Sequence, residues 1–331
     1  MRIQHFIHAL ALFVAVLAFA ATTALSVQIK EYDVPTPNAR PHDPAVGGDG
    51  SLWTTEQAAN KLGDLDPNSG KWREFPLKTA GSGPHGLVAD REGNIWFTAI
   101  AKGYVGKLDP KTGNVTEYRP SGGQEIDPHT PVFDQSGILW FTNEESSLIG
   151  RLDPETGEMK LVATPTPHAV PYGIVVTPKG VPIFCEFHTN KLASVDPQSM
   201  IIREYALPES GARPRRLAVA PNGTIYFSDF AQGKLGHFDP ATGKAEEWAS
   251  PGGANSEPYG IAVTSDGMVW YVETGVKPNM LVRFDAKTKA FATEKIPSGG
   301  GVVRNMAVAK DGRIYLACSG VNKVAVVTAG R

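Results

Sequence analysis

The sequence predicts an all-β fold: a seven-bladed β-propeller of four-stranded antiparallel blades, with the last blade completed by an N-terminal strand. Three observations predict it. One position recurs as Trp53, Trp96, Trp140, Ile183, Tyr226, Trp270 and Tyr315, at spacings of 43 to 45 residues. Each of these lies four residues after the first member of a turn pair: Asp49-Gly50, Glu92-Gly93, Ser136-Gly137, Lys179-Gly180, Asn222-Gly223, Asp266-Gly267 or Asp311-Gly312. Around each lie short runs rich in β-branched and aromatic residues, bounded by Gly, Pro, Asn or Asp, the pattern of an antiparallel meander.

The unit is clearest between Pro84 and Pro120. It opens with Pro84-His85-Gly86 and a short apolar run, turns at Glu92-Gly93, and continues through the strand-like Ile95 to Thr98. A third strand, Tyr104 to Leu108, leads into an Asp-Pro turn from Asp109 to Gly113, and a fourth, Val115 to Tyr118, closes the unit. The seventh copy stops after its third strand, Val324 to Thr328, while an orphan strand, Ile29 to Val34, precedes the first copy. The orphan resembles the fourth strands Val115 to Tyr118 and Ile202 to Leu207, so it is expected to complete the last blade and remove the open edge that invites aggregation. A chain of 331 residues suggests two domains at ~150 residues each, but the unbroken repeat makes residues 26–331 one domain.

Residues 1–25 read as a secretory signal: Arg2 and His5 lead an apolar segment from Phe6 to Ala21, and small residues suit cleavage near Ala20 or Ala24. The segment is short for a membrane span, which needs ~20 apolar residues, and no later segment is apolar enough; an uncleaved anchor is the alternative. The mature chain is therefore expected to be secreted or periplasmic, soluble and monomeric. The formal charge is -2, with acids and bases interspersed and no basic stripe, which argues against nucleic acid as a partner.

Two cysteines in an exported chain raise the question of a disulfide. Cys185 falls in the fourth copy and Cys318 in the seventh, nearly opposite each other in a ring of seven, which is too far for Cα atoms within ~7 Å. Both are expected to be free, buried thiols. Neither belongs to a CxxC motif.

The first strand of a propeller blade lines the central channel. The residues just after each repeat-initial proline, His42, His85, His129, Tyr172, Arg215, Tyr259 and Arg304, should therefore converge at one mouth. Three consecutive blades place histidine there, and imidazole serves as acid, base or metal ligand near neutral pH. The residues ending the second strand, Glu56, Ala99, Asn143, Glu186, Asp229, Glu273 and Cys318, are expected to reach the same mouth. In the third copy Asp127, His129 and Glu144 lie together, and two carboxylates with water suit a hard cation such as Mg²⁺. The opposing reading is that these acids cap turns or pair with Arg215 and Arg304. The recurrent Asp-Pro pairs at Asp66, Asp109, Asp153, Asp196 and Asp239 are turn chemistry. His188 is expected on a solvated loop at the rim, and no GxSxG, HExxH or phosphate-loop motif is present.

With its Pro-His-Gly and Pro-Tyr-Gly starts, Trp-Phe-Thr second strands, Asn-Lys-Leu-Gly and Leu-Ile-Gly-Arg third strands and Glu-Tyr fourth strands, the chain resembles the streptogramin lyases, the virginiamycin B lyase family. The segment VPTPNARPHD with GDGSLWTTEQAANKLG is especially similar to a family repeat. The resemblance implies a Mg²⁺-dependent elimination that opens a cyclic ester, with Asp127 and Glu144 as metal ligands, His129 as the base and His85 as the substrate contact. Asp127 stands where the family's enzymes have Glu. The family places these residues in its last two blades, where this chain has Tyr259, Val302 and Arg304, and starting the match at His42 puts Gly83 and Ile100 at the metal positions.

Two function classes follow. One is a Mg²⁺-dependent carbon-oxygen lyase, or a related lactone-opening enzyme. The other is a non-catalytic periplasmic propeller that binds a ligand or a protein across its mouth. A gluconolactonase-like calcium enzyme drawing on Glu56, Glu186, Asp229 or Glu273 is a third reading, although that family typically has six blades.

Overall fold

In the second repeat, Pro84–Ala89, Ile95–Ala99, Tyr104–Leu108 and Val115–Tyr118 form an antiparallel sheet in chain order. The other repeats fold alike, and seven such blades make up the ring in a computed structural model that describes residues 23–24 and 26–329. The predicted signal, 1–25, lies outside the described residues except for Thr23–Ala24, which pairs in parallel with Ala292 and Thr293 at the outer edge of the sixth blade. The orphan strand is Val27–Asp33, and it pairs antiparallel with Lys323–Ala329 to complete the seventh blade. The side chain of Asn322 reinforces this closure, accepting from the Ala39 amide at 2.8 Å and donating to the carbonyls of Val34 and Thr36 at 3.2 and 3.0 Å.

Blade faces are apolar, and neighbouring blades bury them against each other. Trp53 meets Ile95 and Phe97 between the first and second blades, and Trp140 meets Phe184 between the third and fourth. Tyr315, Val324 and Val34 pack on Leu52 and Leu65 where the seventh blade meets the first. Gly106, Gly150 and Gly236 in third strands lie under Phe97, Phe141 and Phe227; a Cβ there would sit 2.0–2.2 Å from the ring, so the aromatic packing requires glycine. Among the described residues no helix is long and apolar enough to cross a membrane.

Every first strand carries a bulge just after its opening residue, where the register slips between Pro84 and Leu87 and at the matching place in each blade. The slip frees one backbone N–H, and in the first five blades a second-strand side chain takes it. Thr55 accepts from the Asp43 amide at 3.0 Å, Thr98 from Gly86 at 2.7 Å and Thr142 from Thr130 at 3.2 Å. The same hydroxyls donate to the next blade, at the carbonyls of His85, His129 and Tyr172, so each ties two blades together.

In the fourth blade the slot holds Cys185, whose Sγ accepts from the Gly173 amide at 3.1 Å and donates to Arg215 O at 2.9 Å. Cys185 and Cys318 are both free and buried, and burial pushes the Cys185 thiol up to about 12. Denaturation without reductant followed by alkylation is expected to label both; a linked peptide with neither thiol labelled would overturn the blade assignment.

Candidate functional site

The first-strand residues meet as the proline register predicts. Imidazole centroids lie 3.8 Å apart for His42 and His85 and 3.9 Å for His85 and His129, and the Tyr172 ring follows at 4.0 Å from His129. The arc continues through Arg215 to Tyr259, whose hydroxyl bonds that of Tyr172. The stack fills the mouth: His42, His85 and His129 are buried, while Glu144, Arg215 and Arg304 at the rim keep partial exposure. Burial, followed by the neighbouring charges and imidazoles, holds all three histidines well below the ordinary imidazole range, so they are neutral at neutral pH.

Beneath the arc lies a layer that the sequence reading did not pick out. The residues one place further along the first strands are Asp43, Gly86, Thr130, Gly173, Arg216, Gly260 and Asn305. Arg216 crosses the channel, donating to Asp43 Oδ1 at 2.9 Å and to Thr130 Oγ1 at 3.0 Å, and Asn305 donates to Asp43 Oδ2 at 3.0 Å. These groups plug the channel. A void of about 150 Å³ remains beside Thr130, Arg216 and Asn305. The pair of Asp43 and Arg216 is buried and hydrogen-bonded at both ends, the condition under which buried charges persist.

The plug orients the imidazoles above it. Asp43 holds His42 Nδ1 at 2.9 Å, and Thr130 Oγ1 lies 2.8 Å from His129 Nδ1. Thr130 Oγ1 accepts from Arg216, and toward His129 Nδ1 it either accepts from an Nδ1–H, the tautomer that leaves the lone pair on Nε2, or donates its own proton. His129 Nε2 and His85 Nδ1 are buried without a hydrogen-bond partner. Glu144 Oε2 approaches His129 Nε2 at 3.5 Å, and burial, then Glu145 and Asp127, push the Glu144 carboxyl up.

Asp127 sits at the edge of this group with its carboxylate engaged by the 145–146 turn: Oδ2 accepts from the Glu145 amide, and Oδ1 from the amide and hydroxyl of Ser146. A carboxylate offers about four lone-pair sites, so one stays open. Asp127 is near enough to Glu144 for its charge to act on it, and these are the two carboxylates that would offer an oxygen each to a Mg²⁺ ion completed by water. A tighter cluster of potential ligand atoms, all within 4.8 Å of one another, is His42, Asp43 and His85; Asp43 there is held by Arg216 and Asn305.

The second-strand acids do not join the mouth. Glu56 follows Thr55, and period-2 alternation turns it to the opposite face from that bridging hydroxyl; Glu186, Asp229 and Glu273 end their strands in the same register. Glu56 lies by Lys61 and Glu74, Glu186 by Lys191 and Glu204, Asp229 by Lys234 and Glu247, and Glu273 accepts from the Gly252 amide at 2.7 Å. Burial, then the second acid, pushes Glu56 up to about 8 and Glu186 to about 7, from the usual 4.5. Between 4.5 and about 8 the folded state therefore holds protons the unfolded state has lost, and stability falls as pH rises through that window. Glu56→Gln is expected to raise stability at pH 8 by on the order of 2 kcal/mol and to change little near pH 4.5, as read by urea denaturation at both pH values. An equal effect at both would refute the protonated Glu56.

A concavity of about 1170 Å³ opens on the other side of the ring, among the turns that join first and second strands near Gly50, Arg91, Gly137 and Asp311. The unpaired ring nitrogens and the Arg216 network lie instead at the histidine mouth, and we place the site there. His188 follows Phe187, whose ring flanks the arc.

The virginiamycin B lyase family model matches residues 18–276 and 184–330. No curated protein matches the chain. Among solved structures, a streptogramin B lyase superposes with a TM-score of 0.83 at 24% identity, covering 92% of this chain and 98% of that one. Virginiamycin B lyase from Staphylococcus aureus gives 0.82 at 21%, covering 91% and 99%. A catalytically inactive form of the Staphylococcus aureus enzyme with quinupristin gives 0.81 at 21%, also covering 91% and 99%.

Proposed function

Because the chain belongs to the virginiamycin B lyase family, we propose that its histidine mouth opens cyclic esters by elimination, a carbon-oxygen lyase reaction. The observation that carries this is His129: a neutral imidazole oriented at Nδ1 by Thr130, with Nε2 buried, unpartnered and 3.5 Å from Glu144. Nε2 takes the proton from the carbon α to a carbonyl; the electrons of that C–H bond form the double bond to the β carbon, and the ester C–O bond at the β carbon breaks to release a carboxylate. His85, stacked against His129, contacts the substrate. A Mg²⁺ ion held by Asp127 and Glu144 would stabilise the negative charge that develops on the carbonyl oxygen. An apolar leader ahead of a self-closed ring supports an exported monomer acting in the periplasm or outside the cell.

Incubating the pure chain with quinupristin, with and without EDTA, tests the reading. Elimination gives a linear product of unchanged mass with a new double bond and a free carboxylate, separable from the substrate by chromatography. Hydrolysis adds the mass of one water and would replace lyase with lactonase. Substrate unaltered under both conditions sinks the enzymatic reading and leaves ligand binding at the same mouth.

A further inference from the structure

We propose that this mouth recognises a carboxylate carried on an apolar body, received by Arg215 and Arg304. The inference rests on the mouth being the ligand site but not on turnover. Arg215 is enclosed by four aromatic rings: its Cζ lies 3.8 Å from the Tyr259 centroid, 4.3 Å from Phe230, 4.8 Å from Phe187 and 5.0 Å from Tyr172.

The rings stabilise the cation and fix the plane of the guanidinium, but they leave its donors unspent. Of the five N–H groups of a guanidinium, the one with a hydrogen-bond partner here is on Nη2, 3.4 Å from Tyr172 Oη, and Nε is buried with none. Arg304 likewise has a buried, unpartnered Nε. Among the described residues no carboxylate oxygen lies within 4.0 Å of either arginine, although Glu144 is near enough to Arg215 to feel its charge.

The phenols add a donor. Burial keeps Tyr172 protonated, and the Tyr172 and Tyr259 hydroxyls bond each other, so two protons serve one hydrogen bond and one remains to donate. Planar N–H donors beside a free O–H match the two oxygens of a carboxylate, which a guanidinium binds in a bidentate fork. Phe187 and Phe230, both half-exposed, flank the fork and supply the apolar wall. A ligand seated this way puts its anionic end on Arg215 and its body toward His129, on the far side of Tyr172.

Isothermal titration of the full chain with 3-phenylpropanoate, 3-phenylpropanamide and sodium sulfate tests the proposal without a turnover assay. The acid is expected to bind about ten- to a hundredfold more tightly than the amide, as charge-assisted hydrogen bonds require. Arg215→Met and Arg304→Gln should each remove most of that preference, with thermal melting as the check on folding. Amide binding as tight as the acid, or no saturation by the acid, overturns the proposal. Sulfate binding as tight as the acid overturns the apolar part of it. Should Arg215→Met not fold, the acid-to-amide ratio of the unmodified chain and the Arg304→Gln titration still decide. A chain that prefers the acid yet leaves quinupristin unaltered refutes the lyase reading alone.

Discussion

His129→Ala is expected to lower turnover of a streptogramin B ester by ~10²–10⁴, the range for loss of a positioned general base, with little change in Mg²⁺ affinity. The expectation comes from its two nitrogens having separate surroundings: Nδ1 is bonded to Thr130, and Nε2 is buried without a hydrogen-bond partner, 3.5 Å from Glu144. Glu144→Gln and Asp127→Asn should instead weaken the metal, so that part of the lost activity returns as Mg²⁺ is raised. His42 would be a poor control, because its ring stacks on His85 and bonds Asp43. His237 serves better, lying on the third strand of the fifth blade against Tyr226 and Glu246. Steady-state rates of the four variants across a Mg²⁺ series make the comparison, and a fully active His129→Ala would place the base elsewhere.

Removing the closing strand should produce the largest loss of stability. A chain beginning at Pro35 gives up the ladder from Val27 to Asp33 and the Val34 contribution to the interface of the seventh and first blades. It also loses the bond from Asn322 to Val34 O. The seventh blade is left with Lys323–Ala329 as an open edge. The expected loss is several kcal/mol, a large share of a typical ~5–15 kcal/mol, together with concentration-dependent association through the exposed edge. Denaturant midpoints of this chain and of one beginning at Ser26 give the answer, and coincident curves would mean that the strand does not close the ring.

The architecture was legible because a repeat of 43 to 45 residues with a turn pair at a constant offset leaves little else to fold into. The upper ring was legible for a related reason: the repeat-initial residue, proline in six blades, sets the register, so the next residue of each blade shares one height. The contact of Arg216 with Asp43 was not, since it joins residues 173 positions apart on the first and fifth blades and depends on the width of the channel. A signal was present all the same, in the succession Asp, Gly, Thr, Gly, Arg, Gly, Asn one place after the ring residues. The second-strand acids were placed at the mouth because strand ends were counted without following which face each side chain takes, and Glu56 and Glu186 show the cost of that omission.

That succession has a consequence rooted in counting. Filled and empty positions alternate around the lower layer, and a Cβ on Gly86 would fall 2.2 Å from His129 O, so the empty positions are required. A ring with an even number of members can alternate all the way round, whereas an odd ring must contain one pair of like neighbours. Here the mismatch falls between Asn305 and Asp43, the one adjacent pair of side chains in the layer, and a hydrogen bond of 3.0 Å reconciles them. It coincides with the seam where the two ends of the chain meet. The fault gives seven similar blades an origin. Duplicating or losing a single blade would change the parity of the ring and remove the need for this one like pair.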